Sequence, residues 1–400
     1  MAGTGTEARY EREMKEGDTG ARSSDRALAE RRAHDARMVQ ADFDLAPFTI
    51  AWELTRACAF ACRHCRAEAQ PQRDPQELTT EEAYRLIDQI REFGGPILVV
   101  TGGDPMMRRD LYDILGYAVR QGLRTSLTPT TTRLVTPKAL ARVKEAGVRR
   151  IALSIDGPNA GAHDAFRGFR GSFEIALSIA RDAAAAGLSL QVNTTVSRYN
   201  VHSLQEMAEQ VAHLGAVQWS LFFLVPTGRA SAADMISAEE HEQTFHWLYG
   251  LSRQAPFDIK STAAPAYRRV VIQRERESNS NASTPSKPLA GAGYRFQDGL
   301  NRPAKGVNDG KGFCFISHTG DVCPSGFLPV AAGNVRDRPV TEIYRDTSLF
   351  RSLRDPAALK GRCGRCEFRE VCGGSRARAY SVSGDYLAED PSCVYEPGKE

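Results

Sequence analysis

Three cysteines within eight residues, Cys58-Ala59-Phe60-Ala61-Cys62-Arg63-His64-Cys65, carry the most evident chemistry of this sequence. Their spacing, three residues and then two, fits one tight loop, so three thiolates can converge on one centre. A cluster of four irons and four sulfides normally takes four thiolates. Three leave one iron with an open position, and an open position on a metal centre is where a substrate or cofactor binds. A zinc knuckle and a set of buried thiols are the plainer alternatives. Zinc sites, however, usually pair a C-x₂₋₄-C unit with a second ligand pair at a distance.

The other six of the nine cysteines all fall in positions 314–400. Cys314 and Cys323 bracket Gly320-Asp321 in what reads as a hairpin, Phe313 to Ser317, a turn, then Val322 onward. Cys363-x-x-Cys366 follows, then Cys372 and finally Cys393. Met1 to Gly20 is polar and charged, so it is no secretory signal, and no apolar run reaches the roughly 18 residues that span a bilayer. No membrane association is expected, and a cytoplasmic location is expected by default. That compartment keeps thiols reduced, and the odd count also argues against complete pairing, so metal ligation or catalysis is the better use of these cysteines. A net charge of +3 lacks the basic excess of a dedicated nucleic-acid binder, and no nucleic-acid partner is expected.

The elements that must position these residues read as an alternation of strand and helix. Phe48 to Leu54, Ile97 to Val100, Thr125 to Leu127, Arg150 to Ile155, Leu190 to Val196 and Gln218 to Leu224 are short apolar runs of the kind buried parallel strands show. Between them lie helix signals. Thr79 with Glu82, Ser203 with Glu206 and Ser237 with Glu240 read as capping boxes, and Thr136-Pro137 places a cap before a proline. Gly147 and Gly187 fall where two helices should stop. The expected fold class is therefore α/β, with six βα units forming a partial barrel. In such sheets function collects at the C-terminal ends of the strands, where the cysteine loop follows the first strand. His163, His202, His213, His241 and His246 show no metal-ligand spacing and read as surface or helix residues. Phe245 to Tyr249 reads as the packed face of the last barrel helix.

The same edge carries Thr101-Gly102-Gly103-Asp104-Pro105 after strand two and Ser154-Ile155-Asp156-Gly157-Pro158 after strand four. With the CxxxCxxC loop after the first strand, the chain resembles the radical S-adenosylmethionine (radical SAM) superfamily. The resemblance implies a (βα)6 partial barrel and a [4Fe–4S] cluster on Cys58, Cys62 and Cys65, the catalytic cysteines. S-adenosylmethionine (SAM) would chelate the open iron and be cleaved to methionine and a 5'-deoxyadenosyl radical. It further implies that Gly102, Gly103 and Asp104 contact the SAM amino group, that Ser154 holds SAM, and that Arg167 meets its carboxylate. Asn193 would bond the ribose or carboxylate, and Leu224 to Arg229 would pack the adenine.

The spacing of Cys363, Cys366, Cys372 and Cys393 resembles the SPASM domain, which carries auxiliary iron–sulfur clusters behind many radical SAM cores. The pattern's next cysteine is here Arg376, and Ser375 stands where a related subgroup has cysteine. Four of the C-terminal cysteines thus make one complete ligand set, expected to hold an auxiliary [4Fe–4S] cluster. Cys314 and Cys323 are expected as further metal ligands, together in an incomplete cluster or sharing the single auxiliary cluster in another arrangement. Cys363 to Tyr380 looks most like the radical SAM enzymes of haem d1 and alternative haem synthesis, which remove or convert propionate side chains on tetrapyrroles. The expected organisation is a charged extension over 1–45, the core over 46–255, a linker or flexible loop over 256–310, and a small α+β SPASM or twitch-like domain over 311–400. Arg274 to Pro288, with almost nothing apolar, is the clearest linker stretch. Expected partners are a small-molecule or peptide substrate and an electron donor such as flavodoxin or ferredoxin. Peptide-maturing SPASM enzymes share the architecture, and a non-catalytic electron-transfer protein is the alternative of another class. The open-site cysteine loop and the glycine loop after strand two speak against that last reading, since an electron carrier needs no cofactor-chelating site.

Overall fold

In a computed structural model of the chain the described residues are 42–279 and 306–398. They build one ten-stranded sheet in the order β10-β9-β8-β1-β2-β3-β4-β5-β6-β7. The barrel half alternates β1 (Thr49–Glu53), α1 (Thr80–Arg91), β2 (Ile97–Thr101), α2 (Leu111–Arg120), β3 (Arg124–Leu127), α3 (Pro137–Glu145) and β4 (Arg150–Ser154). It continues with α4 (Ala160–Arg167), α5 (Ser172–Ala185), β5 (Ser189–Val196), α6 (Leu204–His213), β6 (Gln218–Phe223), α7 (Ala238–Ser252), β7 (Asp258–Thr262) and α8 (Ala266–Asn279). Neighbouring strands from β1 to β7 pair in parallel. Along β5, Leu190, Val192 and Val196 are buried in the helix-covered core, while Gln191, Asn193 and Thr195 lie partly exposed on the opposite, open face. This two-residue alternation makes one face of the sheet a core and leaves the other polar.

The helix starts follow the sequence signals at three of four places. Thr79 and Ser237 close complete capping boxes with Glu82 and Glu240, and the Thr136 side chain accepts from the Ala139 N–H. Ser203 makes no capping bond, because a 3₁₀ turn over Val201–Ser203 runs directly into α6. Gly147 and Gly187 follow the ends of α3 and α5 with φ of +92° and +67°.

The expected linker over 256–310 is corrected in part. Residues 258–262 form a seventh parallel strand and 266–279 a helix, so the barrel half extends past 255. β7, Asp258-Ile-Lys-Ser-Thr262, carries a single apolar residue and two charged ones, Asp258 and Lys260, so it does not stand out as an apolar run. Residues 280–305, and with them the rest of the Arg274 to Pro288 stretch, lie outside the described residues, as does 1–41 of the expected extension. The C-terminal part is also less separate than the expected boundaries imply. β8 (Phe313–Ile316) pairs in parallel with β1, and β9 (Asp321–Cys323) and β10 (Gly333–Asn334) extend that edge antiparallel. Four short helices follow: α9 (Val340–Asp346), α10 (Ser348–Arg354), α11 (Gly361–Arg365) and α12 (Arg376–Ser383).

Glu53, the last residue of β1 and fully buried, ties the two parts together. It accepts from Arg66 Nη1 at 2.9 Å, Arg56 Nε at 3.3 Å and His318 Nδ1 at 3.0 Å. Burial alone would raise its pKa, but the Arg66 charge, the His318 hydrogen bond and Arg56 outweigh it and hold the carboxyl at about 2. The stabilisation is therefore complete above the ordinary value near 4.5 and is lost as pH falls through about 2. Glu53→Gln should cost about 3 kcal/mol at neutral pH and less than half of that at about pH 3. Denaturant unfolding of both proteins at the two pH values measures this, and an equal cost at both would contradict it.

Candidate active site

The cysteine loop leaves β1 at its C-terminal end and is pinned by backbone bonds. Cys58 N donates to Gln70 O at 2.8 Å and Gln70 N to Arg56 O at 3.0 Å. The loop after β2 lies directly against it, with Gly103 N donating to Thr55 O at 2.7 Å and Asp104 N to Ala57 O at 2.6 Å. A side chain on Gly103 would place its Cβ 2.5 Å from Ala57 O and 2.6 Å from Arg56 O. The loop after β6 approaches from the other side. Gly228 has φ +64° and its Cβ would stand 2.5 Å from Cys65 O, while Arg229 donates through its N–H to Cys65 O and through Nε to Cys62 O at 3.1 and 3.0 Å. The cysteine loop is thus clamped by backbone contacts from the loops of two other strands, which the sequence placed on one edge but could not show in contact.

Cys58 and Cys62 are buried beside Phe60, with Cys65 packed against them. The Cys58 sulfur accepts from Phe60 N at 3.4 Å and lies 3.5 Å from Thr130 Oγ1, a hydroxyl that also donates to Gly103 O at 2.5 Å. Burial pushes both thiols up; the Phe60 N–H opposes this at Cys58, and the Arg167 guanidinium opposes it most at Cys62. Metal binding would therefore release protons here, since the thiolate is the ligand. Arg167, at the end of α4, is buried and donates to Asp156 Oδ2 at 3.3 Å; its Nε has no partner. Asp156 accepts from Thr195 N at 2.7 Å, and burial keeps its pKa raised against the pull of Arg167. His64, inside the motif, stacks on Phe166 with ring centroids 4.2 Å apart and is kept neutral, well below its usual range, by burial and by Arg167. Thr130 and His64 were given no role from the sequence, and Asp156 entered only as part of the motif after strand four. A histidine inside the cysteine motif and a Thr-rich turn at a strand end were the available signals.

Of the expected SAM-contacting residues, Ser154 and Asn193 stand in register on adjacent strands and are partly exposed. Asn193 Oδ1 accepts from Gln191 Nε2 at 2.8 Å. Asp104 departs from expectation. It is fully buried, with Oδ2 accepting from Thr132 Oγ1 at 2.8 Å and Oδ1 from Met106 N at 3.1 Å. Burial raises its pKa to about 6 against these bonds. The carboxyl is an internal cap of the 3₁₀ turn Pro105–Met107, so it holds the glycine loop instead of facing outward. His163 and His241, expected on the surface or on helices, are helical but buried.

Cys363, Cys366, Cys372 and Cys393 line one pocket with Arg269 and Arg362. Burial pushes Cys372 up to about 12 and also raises Cys366 and Cys393. Backbone N–H groups already point at two of the sulfurs, from Gly374 to Cys372 and from Asp390 to Cys363, both at 3.4 Å. Cys314 and Cys323 do not line this pocket. Cys323 pairs with Phe315 across the hairpin, so alternation turns Cys314 to the opposite face, where it belongs to the helix-covered core with Ile316 and Val322. The expectation that both serve one centre is corrected on that ground. Burial raises both thiols, Cys323 to about 12. Among the described residues, no three ligating side chains are drawn together closely enough to hold a single metal ion.

No described helix is long and apolar enough to cross a membrane. The model of the Radical SAM superfamily matches residues 52–211. An AdoMet-dependent heme synthase of Nitratidesulfovibrio vulgaris is 45% identical over 87% of this chain and 92% of its own length. A protein of the same name from Methanosarcina barkeri is 42% identical over 89% and 98%. Among solved structures, Streptococcus suis SuiB bound to precursor peptide SuiA aligns with a TM-score of 0.64 at 14% identity, covering 91% of this chain and 80% of that one. With an identity that high along nearly the whole length, over a parallel sheet whose first strand delivers the three-cysteine loop, the chain belongs to the radical SAM superfamily and is a radical SAM enzyme, of a family that implies a [4Fe–4S] cluster and SAM.

Proposed function

We propose that Cys58, Cys62 and Cys65 hold the [4Fe–4S] cluster and that the enzyme modifies a tetrapyrrole, removing or converting propionate side chains of a haem precursor. The observation that carries the substrate class is the 45% identity to an AdoMet-dependent heme synthase across 92% of that protein. The residues present fit the cluster. They offer three thiols and no competing carboxylate on the loop, an N–H aimed at the Cys58 sulfur, and the buried Arg167 charge to balance an anionic centre. When bound and reduced, the cluster supplies the electron that cleaves SAM. The chain's own residues bind and orient. Gly102 and Gly103 bring the loop after β2 against the cysteine loop, where the amino acid head group would lie, and Asp104 fixes that loop from inside. Arg167, whose Nε is without a partner, would meet the carboxylate, and Ser154 and Asn193 are polar groups of the open face at the same level. A small donor such as flavodoxin or ferredoxin would supply electrons. The peptide-bound structural neighbour shares only the fold at 14% identity and lends no weight to a peptide substrate.

The test is anaerobic incubation with SAM, a reductant and candidate tetrapyrroles. The expected result is 5'-deoxyadenosine together with a tetrapyrrole product lighter by carboxyl groups. 5'-Deoxyadenosine with every tetrapyrrole mass unchanged would reject the substrate class and leave the SAM chemistry standing.

The same reading gives the C-terminal set, Cys363, Cys366, Cys372 and Cys393, an auxiliary [4Fe–4S] cluster. Reconstituted protein should then bind about 8 irons per chain. About 4 would remove the auxiliary cluster, about 12 would bring Cys314 and Cys323 back as ligands, and zinc without iron would end the whole reading.

A further inference from the structure

Arg376 stands where the SPASM pattern continues with a cysteine, and the structure gives it a position that a vacant ligand site does not require. The side chain is almost fully buried, at 1% exposure. Its Nη1 donates to Tyr386 O and Ala388 O at 3.0 and 2.6 Å, and its Nε to Gly374 O at 3.2 Å. The remaining arm, Nη2, points at the Cys363 sulfur at 3.6 Å. Carbonyls satisfy the hydrogen bonds of a guanidinium but not its charge, and an uncompensated buried charge costs several kcal/mol. One buried carboxylate is nearby, Asp390. Its oxygens pair with Arg378 at 3.5 Å and accept from Ser375 N and Ser392 N at 2.7 and 3.1 Å. Two buried guanidiniums thus share one buried carboxylate, and the half-exposed Asp385, which also acts on Arg376, is itself paired with Lys360. The charge left over lies against the wall of the four-cysteine pocket, where thiolates would offset it.

We infer that Arg376 is a positioning residue for the auxiliary centre, donating to the Cys363 thiolate and placing a fixed positive charge beside the cluster so that its reduction potential is raised. The inference rests on the reading that these four cysteines hold a cluster. Its physical basis is that reduction adds negative charge, so a nearby cation and an N–H bond to a ligating sulfur favour the reduced state. Of the arginines that line the pocket itself, Arg269 pairs with Glu242 and Arg362 with Glu389, while Arg369 is exposed to solvent and donates to Gly364 O.

The test is a redox titration of the full-length reconstituted protein followed by electron paramagnetic resonance. SAM is added to identify the open-site signal, which it perturbs, and iron is assayed in parallel. Arg376→Gln should keep the parent's iron content. At the potential that half-reduces the parent's auxiliary centre, its reduced-to-oxidised ratio should fall at least tenfold, a shift of about 59 mV to lower potential for one electron. Arg376→Lys, which restores the charge but not the planar fork, should recover part of the shift. Full iron with an unchanged potential in Arg376→Gln would overturn the inference. Equal loss of auxiliary iron in both variants would also overturn it, by making the residue purely structural. A parent with only about 4 irons would instead show that the auxiliary-cluster reading itself had failed.

Discussion

Changing Cys58, Cys62 and Cys65 together to Ala should abolish 5'-deoxyadenosine formation while about 4 irons per chain remain. The two cysteine sets lie on different elements: one loop after β1, and a pocket built from α11, the turn after it and the C-terminal segment. The loop does not depend on its sulfurs for shape. It is held by Cys58 N to Gln70 O, Gly103 N to Thr55 O and Arg229 Nε to Cys62 O, all of which end on backbone atoms that the substitution leaves in place. Losing three sulfurs from a small apolar cluster should cost about 1 kcal/mol each or less, because only one atom is removed per site. The fold should therefore survive and present an intact C-terminal site. Iron and sulfide assays with product chromatography, against an enzyme-free control, decide the matter. Product above that control would place SAM cleavage elsewhere. Loss of all iron would mean that the two sites assemble together.

Five of the six strands read from sequence carry apolar residues that run together or alternate, since a strand covered by helices must bury them; β3, with Leu127 alone, is the exception. β7 offers only Ile259 to that criterion, and its place in the sheet comes from pairing with β6, a tertiary fact. The pairing of β8 with β1 joins residues about 260 apart in sequence, and no local pattern announces it. At the site, the cysteine spacing was legible because three ligands fit within eight residues. The direction of Asp104 was not read, although Asp before Pro is itself a helix-start signal, and the structure uses it that way. Cys314 and Cys323 looked equivalent as letters, yet strand alternation sends them to opposite faces. Arg376 read as a missing cysteine. Its burial and its aim at Cys363 depend on the chain folding back through Tyr386 to Asp390.

Gly103→Ala should reduce SAM cleavage by about 100-fold or more without unfolding the barrel. Gly103 does not have a left-handed backbone, so the effect is one of space alone. The added Cβ would stand 2.5 Å from Ala57 O, 2.6 Å from Arg56 O and 2.8 Å from Arg56 C, all backbone atoms that cannot rotate aside. The loops must therefore part, straining the bonds Gly103 N to Thr55 O, Asp104 N to Ala57 O and Thr130 Oγ1 to Gly103 O. Overpacking of this kind costs about 1–3 kcal/mol, which a domain with this large a core can absorb. The position of Cys58 relative to the glycine loop cannot be kept, however, and a displacement of about 1 Å at a reacting centre is worth about two orders of magnitude in rate. Gly250→Ala is the matched control. It lies on the exposed side of α7 with nothing within 4 Å of its Cβ position, so it should leave activity unchanged. It should also stabilise the helix by about 0.5–1 kcal/mol. Circular dichroism and thermal unfolding confirm that both variants are folded, and 5'-deoxyadenosine formation rates with iron content separate a misplaced cofactor site from a lost cluster. Activity in Gly103→Ala within a few-fold of the parent would show that the loop after β2 plays no part in placing SAM against the cysteine loop.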